Sequence, residues 1–423
     1  MTVTLALLPI VLLFLGLPIF ALFIFGGVAS FIWFLSVPPV ALHQIMFGGL
    51  ENYALLGVPF FIFAGELMGG SGIAQRLIVW VLALLGRVPG GLGVATIGAC
   101  TLIGAISGVS TATVAVVGKS LFPGLVKEGY GQRFSAGLVS SSGSIDIVIP
   151  PSIAMILYGA SAEVSIPKLF AAGILPGILI ATLMSAYVVV MALRIGVATG
   201  RGFDLGYFLS TSREAAPALL MPIFVLASIY LGLASPTEAG GFACLYAILV
   251  GRYVYKLMSW KEVLDCAVRS AMLTTQILVI VASAALFSWI LTINGVPQAI
   301  TAWLQAMQLH PWSFLMAVNV ILLIVGCFLD PTSAILVLTP LFIPLVKAFG
   351  IDPIHFGIVM TVNVAIGMFT PPFGLNLFVA QTVLGVPLET LYRGVLPFAV
   401  VQIFALLIIT YWPELSLFLA SVV

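Results

Sequence analysis

Charged side chains are scarce in this 423-residue chain, where Asp, Glu, Lys and Arg together make up only 7% of the residues. A soluble domain is usually about 25% charged, whereas this chain is 62% hydrophobic, with a mean hydropathy of +1.27. Its formal net charge is +1 and it has no basic run, so nothing indicates a nucleic-acid partner. The composition excludes an ordinary soluble domain and predicts an integral protein of the lipid bilayer.

Cysteines are few, and basic residues are missing from the N-terminal segment. The four cysteines, at positions 100, 244, 266 and 327, are scattered and form no CxxC pair, which argues against a disulfide framework or a cysteine-ligated metal. The first residues, MTVTLALLPIVLLF, begin an apolar run that is longer than the core of a signal peptide. We therefore expect this run to be retained as the first membrane span.

Uncharged apolar stretches of the length of a bilayer crossing recur along the whole chain. A helix needs about 20 apolar residues to cross the hydrocarbon core, whereas a β-barrel would give short alternating strands. The predicted spans cover residues 5–35, 51–70, 133–158, 168–193, 215–234, 236–252, 268–293, 354–380 and 394–418. The predicted fold class is an all-α integral membrane protein.

Two further apolar segments fit a simple span poorly. Residues 90–127 and 312–348 are interrupted near their middles by SGVST (107–111) and LDPTS (329–333). Each segment is too long for one crossing and too broken for two, and irregular backbone at membrane depth needs burial in protein or a cavity. We predict that each segment is a re-entrant helical hairpin, which enters and leaves the membrane on one side.

The second half of the chain repeats the first. LFPGLVKEG (121–129) resembles LFIPLVKAFG (341–350), and IVIPPSIAMILYG (147–159) resembles GMFTPPFGLNLFV (367–379). The offset stays at about 220–223 residues between these landmarks, which makes chance similarity between apolar helices a poor explanation. The repeat predicts that each half contains one hairpin and one helix broken by a proline pair.

Basic residues orient the two copies in the membrane. The central arginines and lysines fall in two loops, 194–214 and 252–261, which the positive-inside rule places in the cytoplasm. Counting spans from these loops gives a cytoplasmic N-terminus, an extracytoplasmic C-terminus and hairpins that enter from opposite sides. The copies are then inverted relative to each other, and inverted-topology repeats with broken helices are typical of secondary transporters.

Both predicted breaks expose backbone oxygens. A proline has no N–H and clashes with the carbonyl four residues earlier, so Pro150–Pro151 leaves the carbonyls of Asp146 and Ile147 unpaired. The same spacing leaves the carbonyls of Gly367 and Met368 unpaired in the second half. An unpaired carbonyl in lipid is costly, so a small cation or hydrogen bonds from serine, threonine or water must satisfy these oxygens.

Two aspartates lie inside apolar segments: Asp146 in the proline-broken span 133–158 and Asp330 in the interruption LDPTS. A carboxylate at mid-membrane costs about 3 kcal/mol or more, which makes it a candidate for function. Asp146 has no evident capping role, whereas Asp330 begins LDPTS, which is also a good N-cap sequence. Hydroxyls surround both positions without sulfur or clustered imidazole, a composition that suits Na⁺ better than a transition metal.

Four motifs connect the chain to a known family. They are GAISGVSTATVAVVG (104–118), SSSGSIDIVIPPSIAMILYG (140–159), LDPTSAILVLTPLFIPLV (329–346) and GMFTPPFGLNLFV (367–379). On these motifs, and nearly end to end, the chain resembles the large membrane subunit (M, or DctM-like) of tripartite ATP-independent periplasmic (TRAP) transporters. The resemblance implies a Na⁺-coupled importer of a carboxylate-bearing solute, such as a C4-dicarboxylate or sialic acid, with an elevator mechanism in a bacterial inner membrane.

The resemblance also implies partners and ligands. The partners are a small four-helix membrane subunit (Q, or DctQ-like) and a periplasmic solute-binding protein (P, or DctP-like) that delivers the solute. Of at least two Na⁺ sites, the first would comprise Ser107, Ser110, Gly143, Ser144, Asp146 and Ile147. The second would comprise Asp330, Thr332, Ser333, Gly367, Met368 and Thr370. The solute would lie near Ser107, Ser152, Asp330 and Asn376, and no arginine lies in either break to bind its carboxylate.

The repeat and the resemblance divide the chain into five segments. Residues 86–165 and 311–385 would form the two halves of a transport domain, each with a hairpin and a broken helix. Residues 1–85 and 166–310 would provide scaffold and arm helices, and residues 386–423 a C-terminal scaffold helix.

Two other classes of function stay open. Asp146 and Asp330 could form the catalytic dyad of an intramembrane aspartyl protease, and GGSG (69–72) resembles a serine-protease motif. The YD and GxGD contexts of aspartyl enzymes are absent, however, and no histidine is placed to serve GGSG. An anion channel would be recognised by a leak that is independent of ion gradients. The inverted repeat favours transport over both.

Overall fold

The protein folds into a helical assembly, seen in a computed structural model that describes residues 11–12, 15–34, 37–38, 40–85, 88–197 and 204–423. Throughout these ranges the regular elements are helices and there is no β-strand. Within these ranges, six helices are long and apolar enough to cross a membrane, and a seventh span arises if one bent pair counts as a single crossing. The all-α membrane fold is confirmed.

The α-helices are numbered here in chain order. They are α1 (Ile19–Phe34), α2 (Val40–Gly48), α3 (Gly57–Ser71), α4 (Ile73–Leu85), α5 (Gly91–Ser107), α6 (Ser110–Lys127), α7 (Gln132–Ser142), α8 (Ile145–Val148), α9 (Ile153–Ala162), α10 (Ile166–Ile195), α11 (Leu205–Tyr230), α12 (Pro236–Leu249), α13 (Trp260–Ile293), α14 (Val296–Ala306), α15 (Pro311–Gly326), α16 (Pro331–Ala348), α17 (Pro353–Gly367), α18 (Leu375–Leu384), α19 (Leu388–Tyr411) and α20 (Pro413–Ala420).

The observed helices follow most of the predicted spans. The predicted spans do not include α2, α4 and α14, which have 9, 13 and 11 residues and are too short for a search based on bilayer thickness. The first predicted span, 5–35, lies partly outside the described residues, and its described part contains α1. The C-terminal segment contains two helices, α19 and α20, where one was expected.

Each half of the chain contains two consecutive helices with a short connection at the position of a predicted hairpin, and we call each such pair a hairpin. In the first, α5 ends at Ser107, and the positive φ of 61° at its C-cap Gly108 lets the chain reverse within two residues before α6 begins. In the second, residues 327–330 connect α15 to α16. The arms α5 and α6 pack on each other, whereas α15 packs mainly against α17, and α16 packs against α9 and α13. That each hairpin enters and leaves on one side of the membrane stays a prediction.

Both proline-broken helices are present. Residues 132–148 and 153–162 form two arms that meet at 40°, with Pro150 and Pro151 between them. In the second half, α17 ends at Gly367 and α18 begins at Leu375, with the second proline pair in the connection. Proline explains both interruptions because it can neither donate to the helix nor fit inside it.

Two groups of helices flank one another. Helices α1, α3, α12 and α13 pack among themselves, and we call the surface that α3 and α13 turn towards the hairpins the wall. The other group contains the hairpins and broken helices together with α10 and α19. Within it, α19 crosses α7 so closely that a Cβ on Gly137 would lie 2.1 Å from the Gly394 carbonyl oxygen. Only glycine allows this approach.

Candidate functional site

A glycine near the end of each hairpin's first helix touches the neighbouring break. A Cβ on Gly104 would lie 2.6 Å from the Asp146 Cα, and a Cβ on Gly367 would lie 2.4 Å from the Gly326 carbonyl oxygen. In both copies the residue in the break stands four positions before the first proline of the pair. The same backbone contact therefore occurs twice, at the offset of the internal repeat.

The tip of the first hairpin is hydrogen-bonded to the first break. Ser110 Oγ donates to the Gly143 carbonyl oxygen at 2.8 Å. Asn376, which begins α18 of the second half, donates through Nδ2 to Ser110 Oγ at 2.8 Å and to the Ser140 carbonyl oxygen at 3.2 Å. All four residues are buried. The structure thus brings Ser110 and Gly143 together, as predicted, and adds Asn376 from the other copy of the repeat.

Asp146 is fully buried beside this tip. Thr113 Oγ1 donates a hydrogen bond to its Oδ2. The other carboxylate oxygen, Oδ1, has no hydrogen-bond partner, although the Gly108 backbone lies close to the carboxylate. A buried polar atom without a partner is costly, so Oδ1 is suited to accept from a further donor or to bind a cation. Thr113 is not among the predicted ligands, although it lies three residues after Ser110 and so on the same helical face.

The first break has the predicted free carbonyls. Ile149 N–H donates to the Ile145 carbonyl oxygen at 3.0 Å, and Pro150–Pro151 supplies no N–H. No backbone donor of this turn therefore remains for the carbonyls of Asp146 and Ile147. Three unpaired oxygens, two carbonyls and Asp146 Oδ1, belong to adjacent residues of one buried turn.

The second break differs, and the expectation of free carbonyls there is wrong. Thr370 N–H donates to the Gly367 carbonyl oxygen at 3.1 Å, and Asn376 N–H donates to the Met368 carbonyl oxygen at 2.9 Å. The second bond forms because the first amides of a helix have no partner within it, and α18 begins close to Met368. A Cβ on Gly374 would lie 2.6 Å from that carbonyl oxygen, so glycine is needed for the approach.

Asp330 caps the second arm of the second hairpin. Its Oδ2 accepts from Ser333 N–H at 3.1 Å, and its Oδ1 accepts from Ser333 Oγ at 2.5 Å. Asp330 and Thr332 are half-buried, whereas Ser333 is fully buried. The capping interpretation of LDPTS is confirmed, and the carboxylate still lies at the edge of a cavity.

One cavity of about 400 Å³ joins both tips and both breaks. The first half contributes residues 108–111 of its hairpin and Ile147 and Ile153 of its break, and the second half contributes residues 330–332 and Met368. The wall closes it with Ile62 of α3 and residues 273–280 of α13. Asp330 is the one charged side chain among the described residues that line the cavity. The arrangement can hold a small polar solute between the two copies.

Several predicted site residues lie around this cavity rather than on it. Ser107 is buried at the tip and accepts from Val109 N–H at 3.3 Å. Ser152 is buried and caps α9, and Ser144 donates to Gln402 Oε1 of α19 at 3.1 Å. Thr370 Oγ1 donates to the Ile366 carbonyl oxygen at 2.6 Å.

The chain matches a known protein family over almost its whole length. A family model described as "Tripartite ATP-independent periplasmic transporter, DctM component" matches residues 6–415. The chain belongs to this family. The match covers both hairpins, both breaks and the wall, so the DctM family membership applies to the complete candidate site.

Relatives within the DctM family carry different solute names. The C4-dicarboxylate TRAP transporter large permease protein DctM of Pseudomonas aeruginosa is 41% identical over 89% of this chain and 88% of its own length. The ectoine/5-hydroxyectoine large permease protein UehC of Ruegeria pomeroyi is 37% identical over 99% and 98%. The 2,3-diketo-L-gulonate large permease protein YiaN of Escherichia coli is 34% identical over 95% and 94%. These relatives are named as transport proteins, not as enzymes.

A solved structure supports the fold independently. The crystal structure of the Alcanivorax borkumensis YdaH transporter, described as having an unusual topology, aligns with a TM-score of 0.61 over 88% of both chains. The sequence identity is 18%, so the likeness concerns the fold alone.

Proposed function

We propose that the protein is the Na⁺-coupled large permease of a three-part importer for a carboxylate-bearing solute. One observation carries the proposal. Oxygens without hydrogen-bond partners in the first break lie beside a cavity that is lined by both hairpin tips and both breaks. Broken helices that meet at a shared cavity are how many secondary transporters place ion and solute sites side by side.

The first ion seat lies between the first tip and the first break. Asp146 Oδ1 and the carbonyls of Asp146 and Ile147 would bind Na⁺, with the Ser110 hydroxyl and Gly143 carbonyl beside them. All these groups are oxygens, which hard cations prefer. The ion would offset the Asp146 charge, and this pairing makes a buried carboxylate tolerable. Ser107 and Ser144 would contribute indirectly to this ion seat, because their hydroxyls hydrogen-bond the backbone of the tip and of the break.

The second ion seat is less open. The carbonyls of Gly367 and Met368 each already accept one hydrogen bond, so an ion would use their remaining lone pairs. Thr370 of the break and the tip formed by Asp330, Thr332 and Ser333 would complete the site. We propose that the second Na⁺ binds more weakly than the first for this reason.

The solute would occupy the cavity between the tips. Its volume of about 400 Å³ is within the range of small-molecule sites. The relatives' names include a C4-dicarboxylate, ectoine and 2,3-diketo-L-gulonate, and we propose an organic acid of this size for the chain. The hydroxyls of Ser110 and Thr332 would contact it, while Ser152 and Asn376 would support the tips from behind.

We propose that the hairpins and broken helices move as one body past the wall, as in an elevator. Helices α10 and α19, which the sequence analysis assigns to the scaffold, pack against this body. Gln402 of α19 donates through Nε2 to the Ser141 carbonyl oxygen at 3.1 Å. The moving body would therefore include α10 and α19, while α1, α3, α12 and α13 would remain fixed.

The proposal includes the partners and the membrane orientation. A small membrane subunit and a periplasmic binding protein would complete the transporter in a bacterial inner membrane. The N-terminus would be cytoplasmic and the C-terminus periplasmic, because Arg194 and Arg213 flank one loop between spans and Arg252 to Lys261 flank the next.

Reconstitution in liposomes tests the proposal. The purified complex, with its small subunit and binding protein, should accumulate a radiolabelled solute from a panel of succinate, ectoine and 2,3-diketogulonate when an inward Na⁺ gradient is imposed. Inside-negative voltage should increase uptake of a solute whose negative charge is smaller than the positive charge of the Na⁺ that enters with it, because each net positive charge gains about 2.3 kcal/mol at 100 mV. Equal uptake with choline in place of Na⁺, or transport by the large subunit alone, would contradict the proposal.

The same liposomes test the two alternatives. A channel would let the labelled anion leak down its own concentration gradient through the large subunit, with no Na⁺ gradient imposed. A protease would cleave an added membrane peptide. The structure gives Asp146 and Asp330 different partners, Thr113 and Ser333, and no hydrogen bond joins the two carboxylates in the described part of the chain.

A further inference from the structure

The described lining of the cavity includes no positively charged side chain that could bind an anionic solute. Asp330 is the single charged side chain on this described lining. A solute carboxylate that enters a partly dry site without a positively charged partner is costly to bury. An inference about the missing cation rests on the proposed function, because it takes the solute to be a carboxylate.

The nearest arginine in sequence to the cavity's wall is Arg269 of α13. Cavity residues Leu273, Gln276 and Ile280 of the same helix follow it by 4, 7 and 11 positions. At about 100° per residue these four positions fall within about 60° of one another around the helix. Arg269 therefore lies on the stripe that faces the cavity, about 6 Å along the axis before Leu273.

An acidic partner on α3 holds Arg269. The Arg269 Nε donates to Glu66 Oε2 at 2.8 Å, with 55% of the arginine side chain and 25% of the glutamate side chain exposed. Glu66 follows the cavity residue Ile62 by one helical turn. The ion pair thus crosses the wall directly below the cavity lining, between the same two helices that line it.

The pair also lies next to the first hairpin tip. A Cβ on Gly65 would lie 3.2 Å from the Ser107 carbonyl oxygen and 3.3 Å from the Ser107 Cα. Gly65 therefore marks where the wall touches the tip, and Glu66 is the next residue. Arg269 lies towards the end of α13 that follows the loop with Arg252, Lys256 and Lys261, which the positive-inside rule assigns to the cytoplasm.

We infer that Arg269 binds the solute carboxylate on the cytoplasmic side of the cavity, and that Glu66 holds Arg269 in place when the solute is absent. An exposed ion pair is weak, so a carboxylate that arrives with the moving body can replace Glu66. Guanidinium binds carboxylate in a two-point geometry that ammonium lacks. Arg269 is thus a specificity-determining residue supplied by the wall, not by the breaks.

A charge-swap series tests the inference in the liposome assay, with the solute of the panel that the unsubstituted complex takes up. Arg269→Gln should raise KM for the solute about tenfold or more while the Na⁺ dependence stays unchanged. Arg269→Lys should restore part of the loss. Glu66→Gln should leave KM equal or lower, because it frees the arginine. The double variant Glu66→Arg with Arg269→Glu should remain impaired.

A purely structural ion pair gives a different pattern. In that case Glu66→Gln and Arg269→Gln would be impaired alike and the charge swap would restore uptake, which would overturn the inference. The variant Arg393→Gln, which breaks the exposed Glu389–Arg393 pair of α19, is the matched control and should behave as the unsubstituted protein.

If the unsubstituted complex takes up no carboxylate, the proposed function fails and this inference with it. Normal Na⁺-driven uptake with unchanged KM in Arg269→Gln defeats the inference alone.

Discussion

The Ser110 hydroxyl donates to the Gly143 carbonyl across 33 positions of sequence, at 2.8 Å. This bond ties the first hairpin tip to the first break at the proposed ion seat. Ser110→Ala should lower the apparent Na⁺ affinity of uptake several-fold, because it removes one oxygen from the seat and leaves the tip less firmly held. Ser120→Ala is the matched control, since Ser120 is exposed on the same helix and bonds only the Val116 carbonyl. Equal Na⁺ titration curves for the two variants would rule out this role.

The Asp146 carboxylate should set the number of ions that are bound. Asp146→Asn removes the charge that offsets the first Na⁺, so we expect the Hill coefficient for Na⁺ to fall towards one and the apparent affinity to drop at least about tenfold. Thr113→Val should have a smaller effect, because it removes one hydrogen bond and retains the charge. Na⁺ titrations of solute uptake by both variants provide the measurement. An unchanged Hill coefficient in Asp146→Asn would place the ions elsewhere.

The close backbone contacts of the two hairpins should tolerate no side chain. Gly104→Ala and Gly367→Ala would place a Cβ 2.6 Å and 2.4 Å from backbone atoms of the facing segment. Each change would force a hairpin away from its break at a cost of about 1–3 kcal/mol, and should reduce both thermal stability and uptake. Gly241→Ala serves as the control, because a Cβ on this helical glycine meets nothing within 4 Å. Melting curves in detergent would separate the three variants, and wild-type stability for Gly104→Ala would show that the contact can relax.

Gln402 should stabilise the body that we propose to move. It donates to the Ser141 carbonyl and accepts from Ser144, so Gln402→Leu leaves buried polar groups unsatisfied at a cost of about 1–3 kcal/mol. Gln402→Glu keeps the size and one acceptor but adds a buried charge, and should be worse. If either variant melts like the unsubstituted protein while α19 remains packed, then α19 does not depend on these bonds.

The sequence predicts the hairpins and breaks because their signals are local. A proline pair inside an apolar run interrupts a helix wherever that run is placed, and LDPTS predicts the Asp330 cap from five residues. Repetition of these signals at one offset supports the pairing of tips with breaks. The glycines Gly104 and Gly326 recur at that offset as well, and this signal could have identified the contact points.

The remaining features depend on contacts between distant segments. Asn376 bonds Ser110 across 266 positions, and nothing around either residue indicates that partner. The occupied carbonyls of Gly367 and Met368 depend on where α18 begins, which the proline rule does not determine. Charge scarcity locates the spans, but the pairing of Glu66 with Arg269 follows only from how α3 packs on α13.

The bond between Asn376 and Ser110 has an evolutionary consequence. Each half of the chain resembles a duplicated unit, yet Ser110 beside the first proposed ion seat receives a buried amide from the second unit. A half-length ancestor could have completed such a seat only by pairing with another copy of itself, so assembly would have come before duplication. Once the two copies were joined, positions 110 and 376 were free to diverge as a pair, and we expect substitutions at them to be correlated among relatives.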